Sequence, residues 1–87
     1  MIEQIENIIK NSLPDATIYV MDPYNDGQHF QALVISPSFV EASLVEQHQM
    51  VMNPLRDAFA SNVVHALGLK TFTPEKWERK KGQYGLD

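Results

Sequence analysis

The sequence predicts an α+β fold, a three-stranded mixed sheet with helices packed on one face, and three observations carry that reading. Apolar residues recur with helical spacing at the N-terminus and again in the middle of the chain. Two β-branched and aromatic runs flank an Asp-Gly turn, the signature of an antiparallel pair. A long helical segment then separates the second run from a third, and a connection of that length suits a right-handed crossover between parallel strands.

Each element has its own local reason. Ile2, Ile5, Ile8, Ile9 and Leu13 share a helical face, and Pro14-Asp15 closes that helix. The stretch TIYVMD (17–22) reads as the first strand, and HFQALVIS (29–36) as the second. Pro23, Asn25, Asp26 and Gly27 form the turn between them. The apolar run from Ala32 to Ile35 calls for cover on at least one side. Pro37 stops the strand. Ser43 and Glu46 then have the spacing of a capping box, in which each side chain satisfies the other residue's amide. From that start, Leu44, His48, Val51, Leu55 and Phe59 fall on one helical face. Pro54 lies inside this helix and removes the bond to the Met50 carbonyl, which predicts a kink. Residues 64–71 read as the third strand. Thr73 is an N-cap with Pro74 at the first helical position, and Phe72 and Trp77 are spaced as a hydrophobic staple. The order α-β-β-α-β-α is the class II KH-like topology. A single domain over 1–81, followed by a flexible tail over 82–87, is the expected organisation.

Composition narrows the function classes. The chain has 87 residues, 44% of them hydrophobic and 21% charged, which suits one folded domain. A net charge of −4 argues against a strongly basic nucleic-acid binder. Lys76, Arg79, Lys80 and Lys81 nevertheless concentrate four of the seven basic residues in one segment. The chain contains no cysteine, so disulfides, thiolate nucleophiles and cysteine-built metal sites would need a partner's thiols. No apolar run approaches the ~18 residues of a membrane span, and the acidic start is unlike a targeting peptide. A cytoplasmic protein without membrane association is expected.

The stretch NVVHALGLKTFTPEKW (62–77) poses the sharpest question, because His65 interrupts an apolar run. It reads as a tolerated core residue, a residue at a strand entrance, or a ligand. His29 ends the loop between the first two strands, where histidines are ordinarily solvated. His48 on the central helix reads as a core-edge histidine hydrogen-bonded to backbone. The three histidines have no zinc-site spacing.

DGQHFQALVIS, SLVEQHQMVMNPL and VHALGLKTFTPEKW, taken in order, resemble the BolA family, closest to its small IbaG-like members. The resemblance runs from about residue 5 to residue 80, and V-H-A-L followed by T-P-E-x-W is its most specific part. It implies a complex with a monothiol glutaredoxin in which a [2Fe-2S] cluster is shared. It also implies, for some members, nucleic-acid binding and transcriptional regulation. The family's shared histidine corresponds to His65, and its second ligand comes from the first strand–strand loop, where this chain offers His29. Asp22 or Asp26 could be that loop's functional residue instead.

The chemistry is consistent with sharing. A [2Fe-2S] cluster needs four ligands, and imidazoles can replace two thiolates on one iron. A cysteine-free chain can supply only that imidazole half, so a glutaredoxin and glutathione would supply the thiolates and the isolated chain would hold no cluster. The chain departs from the family at Glu46-Gln47-His48-Gln49, where many members are basic, so weak, salt-dependent DNA binding is the most that is expected. Gly82-Gln83-Tyr84-Gly85 is not placed between two packed helices, as a KH phosphate clamp requires. No nucleophile–base pair or phosphate loop converges, so no enzymatic activity is expected. A monomer or weak homodimer is expected in the absence of the glutaredoxin.

Overall fold

The computed structural model describes residues 1–59 and 65–86. Helix α1 (Ile2–Ser12) leads to strands β1 (Thr17–Met21) and β2 (Phe30–Ile35). A short 3-10 turn (Pro37–Phe39), helix α2 (Leu44–Ala58) and strand β3 (Leu67–Phe72) follow. Helix α3 (Pro74–Lys80) and a second 3-10 turn (Lys81–Tyr84) complete the described chain. The sheet order is β1-β2-β3, with β1 antiparallel and β3 parallel to β2. This is the expected α+β architecture. Among the described residues no helix is long and apolar enough to cross a membrane.

Alternation along β2 sorts the core into two layers, because successive side chains point to opposite faces. Phe30 and Val34 meet Ile5 and Ile9 of α1 and Val51 and Leu55 of α2, with Phe39 wholly buried among them. Leu33 and Ile35 turn the other way and pack with Phe72 and Trp77. The expectation that the helices share one face therefore holds for α1 and α2 but not for α3. Five residues of the second strand are buried, and a strand this apolar needs cover on both sides. Trp77 supplies the second cover.

The C-terminal residues take part in that cover. Trp77 stacks on Tyr19 at 5.8 Å and on Tyr84 at 5.7 Å, and meets Phe72 at 5.2 Å. The staple spacing of Phe72 and Trp77 is thus realised, with the Thr73 hydroxyl accepting from the Lys76 amide at 3.3 Å. Tyr84 and Leu86 pack against the same cluster, where a flexible tail was expected. Gly85 closes the final turn in the left-handed region at φ 69°, so the Gly-x-x-Gly is a turn terminator.

In α2 the capping box forms as read: the Ser43 amide donates to Glu46 at 2.9 Å, and the Glu46 amide to the Ser43 hydroxyl at 3.2 Å. The helix continues through Pro54 to Ala58. Its inward stripe differs from the expected one at its first turn, since Leu44 is 62% exposed. Gln47 turns inward instead. Its amide nitrogen donates to the Phe39 and Ala42 carbonyls, and its oxygen accepts from the Thr71 hydroxyl at 2.6 Å. A polar side chain here ties α2 to β3 because all its buried capacity is used.

Asp15 holds the opposite corner. The Ser36 hydroxyl donates to it at 2.7 Å and the Ser38 hydroxyl at 2.9 Å, joining the α1–β1 loop to the end of β2. These two donors, Ser36 first, hold the Asp15 carboxyl below its ordinary value. A depressed folded-state value stabilises the fold above the unfolded value and is lost as pH falls through the folded one. Wild type should therefore exceed Asp15→Asn in urea-unfolding stability near neutrality, with the gap closing only below about pH 4. A gap that persists unchanged to lower pH would show that the Asp15 charge is not what holds this corner. Trp77→Ala should be far costlier, roughly 3–5 kcal/mol by the same measurement, because it opens the second core.

Candidate functional site

The parallel β2–β3 register builds the site. Phe30 lies opposite Leu67, and the Phe30 amide donates to the Ala66 carbonyl at 3.1 Å. The two neighbouring strands therefore start side by side, separated by about 4.8 Å, the usual strand spacing. His29 immediately precedes one start, and His65 stands two residues before the other. The topology thus brings together the two chain segments that carry the sequence-identified histidines.

His65 is exposed and has helical backbone, so it is neither a core histidine nor a strand residue. The expected strand over 64–71 begins later, at Leu67, because pairing with β2 begins there. Val64 lies outside the described residues. The apolar neighbours that made His65 look buried do not bury it.

His29 sits in a loop built by two carboxylates. Asp22 accepts from the amides of Asp26 at 3.2 Å and Gly27 at 2.9 Å. Asn25 and Gly27 adopt left-handed backbone at φ 52° and 67°, which suits Asn and Gly. Asp26 then accepts from the amides of Gln28 at 2.9 Å and His29 at 3.0 Å. Its other oxygen lies 2.8 Å from Nδ1 of His29. The connection spans residues 22–29, longer than the tight two-residue turn that Asp-Gly suggests, and the extra length is what these amide–carboxylate bonds organise.

That last contact decides which ring nitrogen is available. The His29 amide, then its imidazole, then the Gln28 amide hold the Asp26 carboxyl far below the usual carboxylate range. An ionised carboxylate only accepts, so Nδ1 carries the hydrogen. In the neutral ring Nε2 then keeps its lone pair, and the side chain is 59% exposed. Metal-ligating histidines are commonly held in this way, by a carboxylate on the far nitrogen. The Tyr24 ring meets the imidazole edge-on, at 6.0 Å and 87°, and further limits its orientation. The choice among His29, Asp22 and Asp26 was open in the sequence. In the structure the two aspartates are engaged in shaping the loop, and His29 presents the unoccupied donor atom.

His48 is half-buried on α2 and its imidazole makes no hydrogen bond to a described residue, contrary to the expected backbone partner. It lies beside β3 rather than beside His29. Among the described residues no group of three or more histidine, aspartate or glutamate side chains is arranged to hold a metal ion. His29 and His65 are both exposed, and each imidazole is a nitrogen donor of the kind that ligates metals. Sequence reasoning missed Asp26 as the partner of His29, although its position three residues earlier was a usable signal.

Among the described residues, a three-stranded mixed sheet carrying three helices in α-β-β-α-β-α order is the class II KH-like topology expected from the sequence. The chain matches the family described as BolA-like protein over residues 5–76, and it belongs to that family. It is 32% identical over 83 residues to the acid stress protein IbaG of Escherichia coli K12, covering 95% of each chain. An uncharacterised protein of Haemophilus influenzae is 35% identical over 80 residues, 92% of this chain and 91% of that one. The structure of a BolA homologue from Coxiella burnetii superposes with a TM-score of 0.73 at 32% identity, covering 91% and 97% of the two chains.

The loop geometry predicts a tautomer. Long-range proton–nitrogen NMR of the neutral His29 ring should find the Nδ1–H form dominant. In Asp26→Ala the Nε2–H form, ordinarily favoured in a free ring, should take over. A dominant Nε2–H form in wild type would refute the assignment.

Proposed function

We propose that the chain is a BolA-like adaptor that shares a [2Fe-2S] cluster with a monothiol glutaredoxin and its glutathione. His65 and His29 are the ligands from this side. The observation that carries this reading is the exposed, carboxylate-held His29 at the start of β2, beside the strand start that follows His65. The cluster is cargo, and the role is iron–sulfur trafficking or iron and redox sensing.

The chemistry of the donor set supports sharing over private binding. Two imidazoles satisfy half of the ligands, and thiolates for the other half would come from the partner and its glutathione. Imidazole ligation would raise the reduction potential relative to four thiolates and make affinity pH-dependent, since the rings bind when neutral. Asp26 orients the His29 imidazole, but among the described residues no serine or threonine hydroxyl is hydrogen-bonded to a histidine, and binding rather than catalysis is the activity proposed. Nucleic-acid binding is the weaker alternative, because the net charge is −4 and Gln47, in the helix that is basic in many family members, is engaged inside the fold.

Anaerobic mixing with a monothiol glutaredoxin, glutathione, iron and sulfide should give a coloured complex with visible circular dichroism. His65→Ala should abolish that spectrum. His29→Ala should weaken it less, because water or a neighbouring carboxylate can take a loop ligand's place. His48→Ala should leave it unchanged and cost about 1 kcal/mol or less, since no hydrogen bond to a described residue is lost. A stable cluster on the isolated chain, or a wild-type spectrum from His65→Ala, would overturn the proposal.

A further inference from the structure

The outer edge of β3 is independent of the histidine reading and has the features of a second binding surface. β3 pairs with β2 on one side and forms an edge of the sheet. The Phe30 amide donates to the Ala66 carbonyl at 3.1 Å, and the Ser36 amide to the Phe72 carbonyl at 3.1 Å. Backbone groups alternate sides along a strand, so Ala66, Gly68, Lys70 and Phe72 direct theirs toward β2. Leu67, Leu69 and Thr71 direct theirs outward. Among the described residues no other segment pairs with that outward row.

Two grooves, of about 490 and 350 Å³, meet along this edge at His48 and Leu69. Their two flanks differ in chemistry. On the α2 side, Leu44 and Val45 are 62% and 67% exposed, large apolar side chains in solvent beside Leu67 and Leu69, with Gln49 and Arg56 farther along the same helix. On the α3 side stand Lys70, Lys76 and Lys80. Among the described residues no aspartate or glutamate lines either groove, in a chain whose net charge is −4. A lysine on an edge strand discourages indiscriminate pairing, but it admits a strand that carries carboxylates.

We propose that this edge docks an extended acidic segment of a partner protein, which adds to β3 as a fourth strand. Side chains of an added strand alternate between the flanks, so the segment alternates apolar residues toward α2 with carboxylates toward the three lysines. Strand addition takes its affinity from main-chain bonds and its specificity from alternate side chains. A polypeptide matches the outward row because it offers donors and acceptors in turn. A phosphodiester backbone offers acceptors alone and leaves the carbonyls of Leu67, Leu69 and Thr71 without donors.

The probe is an end-blocked octapeptide alternating valine and glutamate, added to the whole chain at low salt. Amide exchange at Leu67, Leu69 and Thr71 should slow by about tenfold or more, the mark of a new ladder, while Gly68, Lys70 and Phe72 stay as they were. Fluorescence anisotropy should show binding weakened by about tenfold or more in Lys76→Gln/Lys80→Gln, and equally with a peptide of four valines followed by four glutamates. The proposal is overturned if peptide binding leaves those three amides unprotected, or if the block peptide binds as well. It is also overturned if a single-stranded oligonucleotide binds the same edge more tightly, or if the row is already protected in the free protein by a second copy.

Discussion

The parallel pairing of β2 with β3 is the constraint on which the rest of the structure depends. Placing Phe30 opposite Leu67 aligns the two strand starts and so brings the His29 loop beside the segment that carries His65. The same register sends Phe30, Val34, Leu67 and Leu69 to the α1–α2 face. It sends Leu33, Ile35 and Phe72 to the face that Trp77 covers. A slip of one residue would exchange these two sets and leave both cores unmatched, so each layer enforces the other's register. The slip would also turn the outward backbone row of β3 inward.

Polar side chains fasten the corners of this apolar frame, each with its capacity used. Asp15 joins the α1–β1 loop to the end of β2 through two serine hydroxyls. Gln47 joins α2 to β3 through Thr71, and no described buried side-chain polar atom is left without a partner. Asp22 and Asp26 use the same chemistry on the surface, spending carboxylate oxygens on backbone amides to give a loop one shape. The difference lies in what the shape presents. At Asp15 the product is a closed corner, and at Asp26 it is an imidazole with one nitrogen held and the other available.

The two faces of the sheet serve different ends. The α1–α2 face is filled by aliphatic side chains with Phe30 and Phe39, and it contains most of the buried residues. The opposite face is covered by a short helix, a 3-10 turn and four aromatic rings. Rings cover much area per residue, which lets a seven-residue helix close a face that otherwise needs a longer one. That economy leaves the β3 edge and the lysines of α3 at the surface.

The sequence by itself determined the elements and their order, because periodicity, capping residues and turn residues act over a few positions. The Ser43–Glu46 box, the Thr73-Pro74 start and the Phe72–Trp77 staple were all legible for that reason, and the motifs of the BolA-like family were legible as short runs of residues. Tertiary structure decided what depends on contacts between distant segments. Trp77 marked an anchor, but only the sheet's second apolar face decided which side α3 covers and that residues 81–86 pack there. Apolar neighbours made His65 look buried, and Leu44 looked inward by its spacing. Both are exposed, because burial depends on which surfaces the fold brings over a residue. The sequence left His29, Asp22 and Asp26 as alternatives in the loop, and only the folded chain shows the Asp26 carboxylate, three positions away, turned back onto the His29 ring.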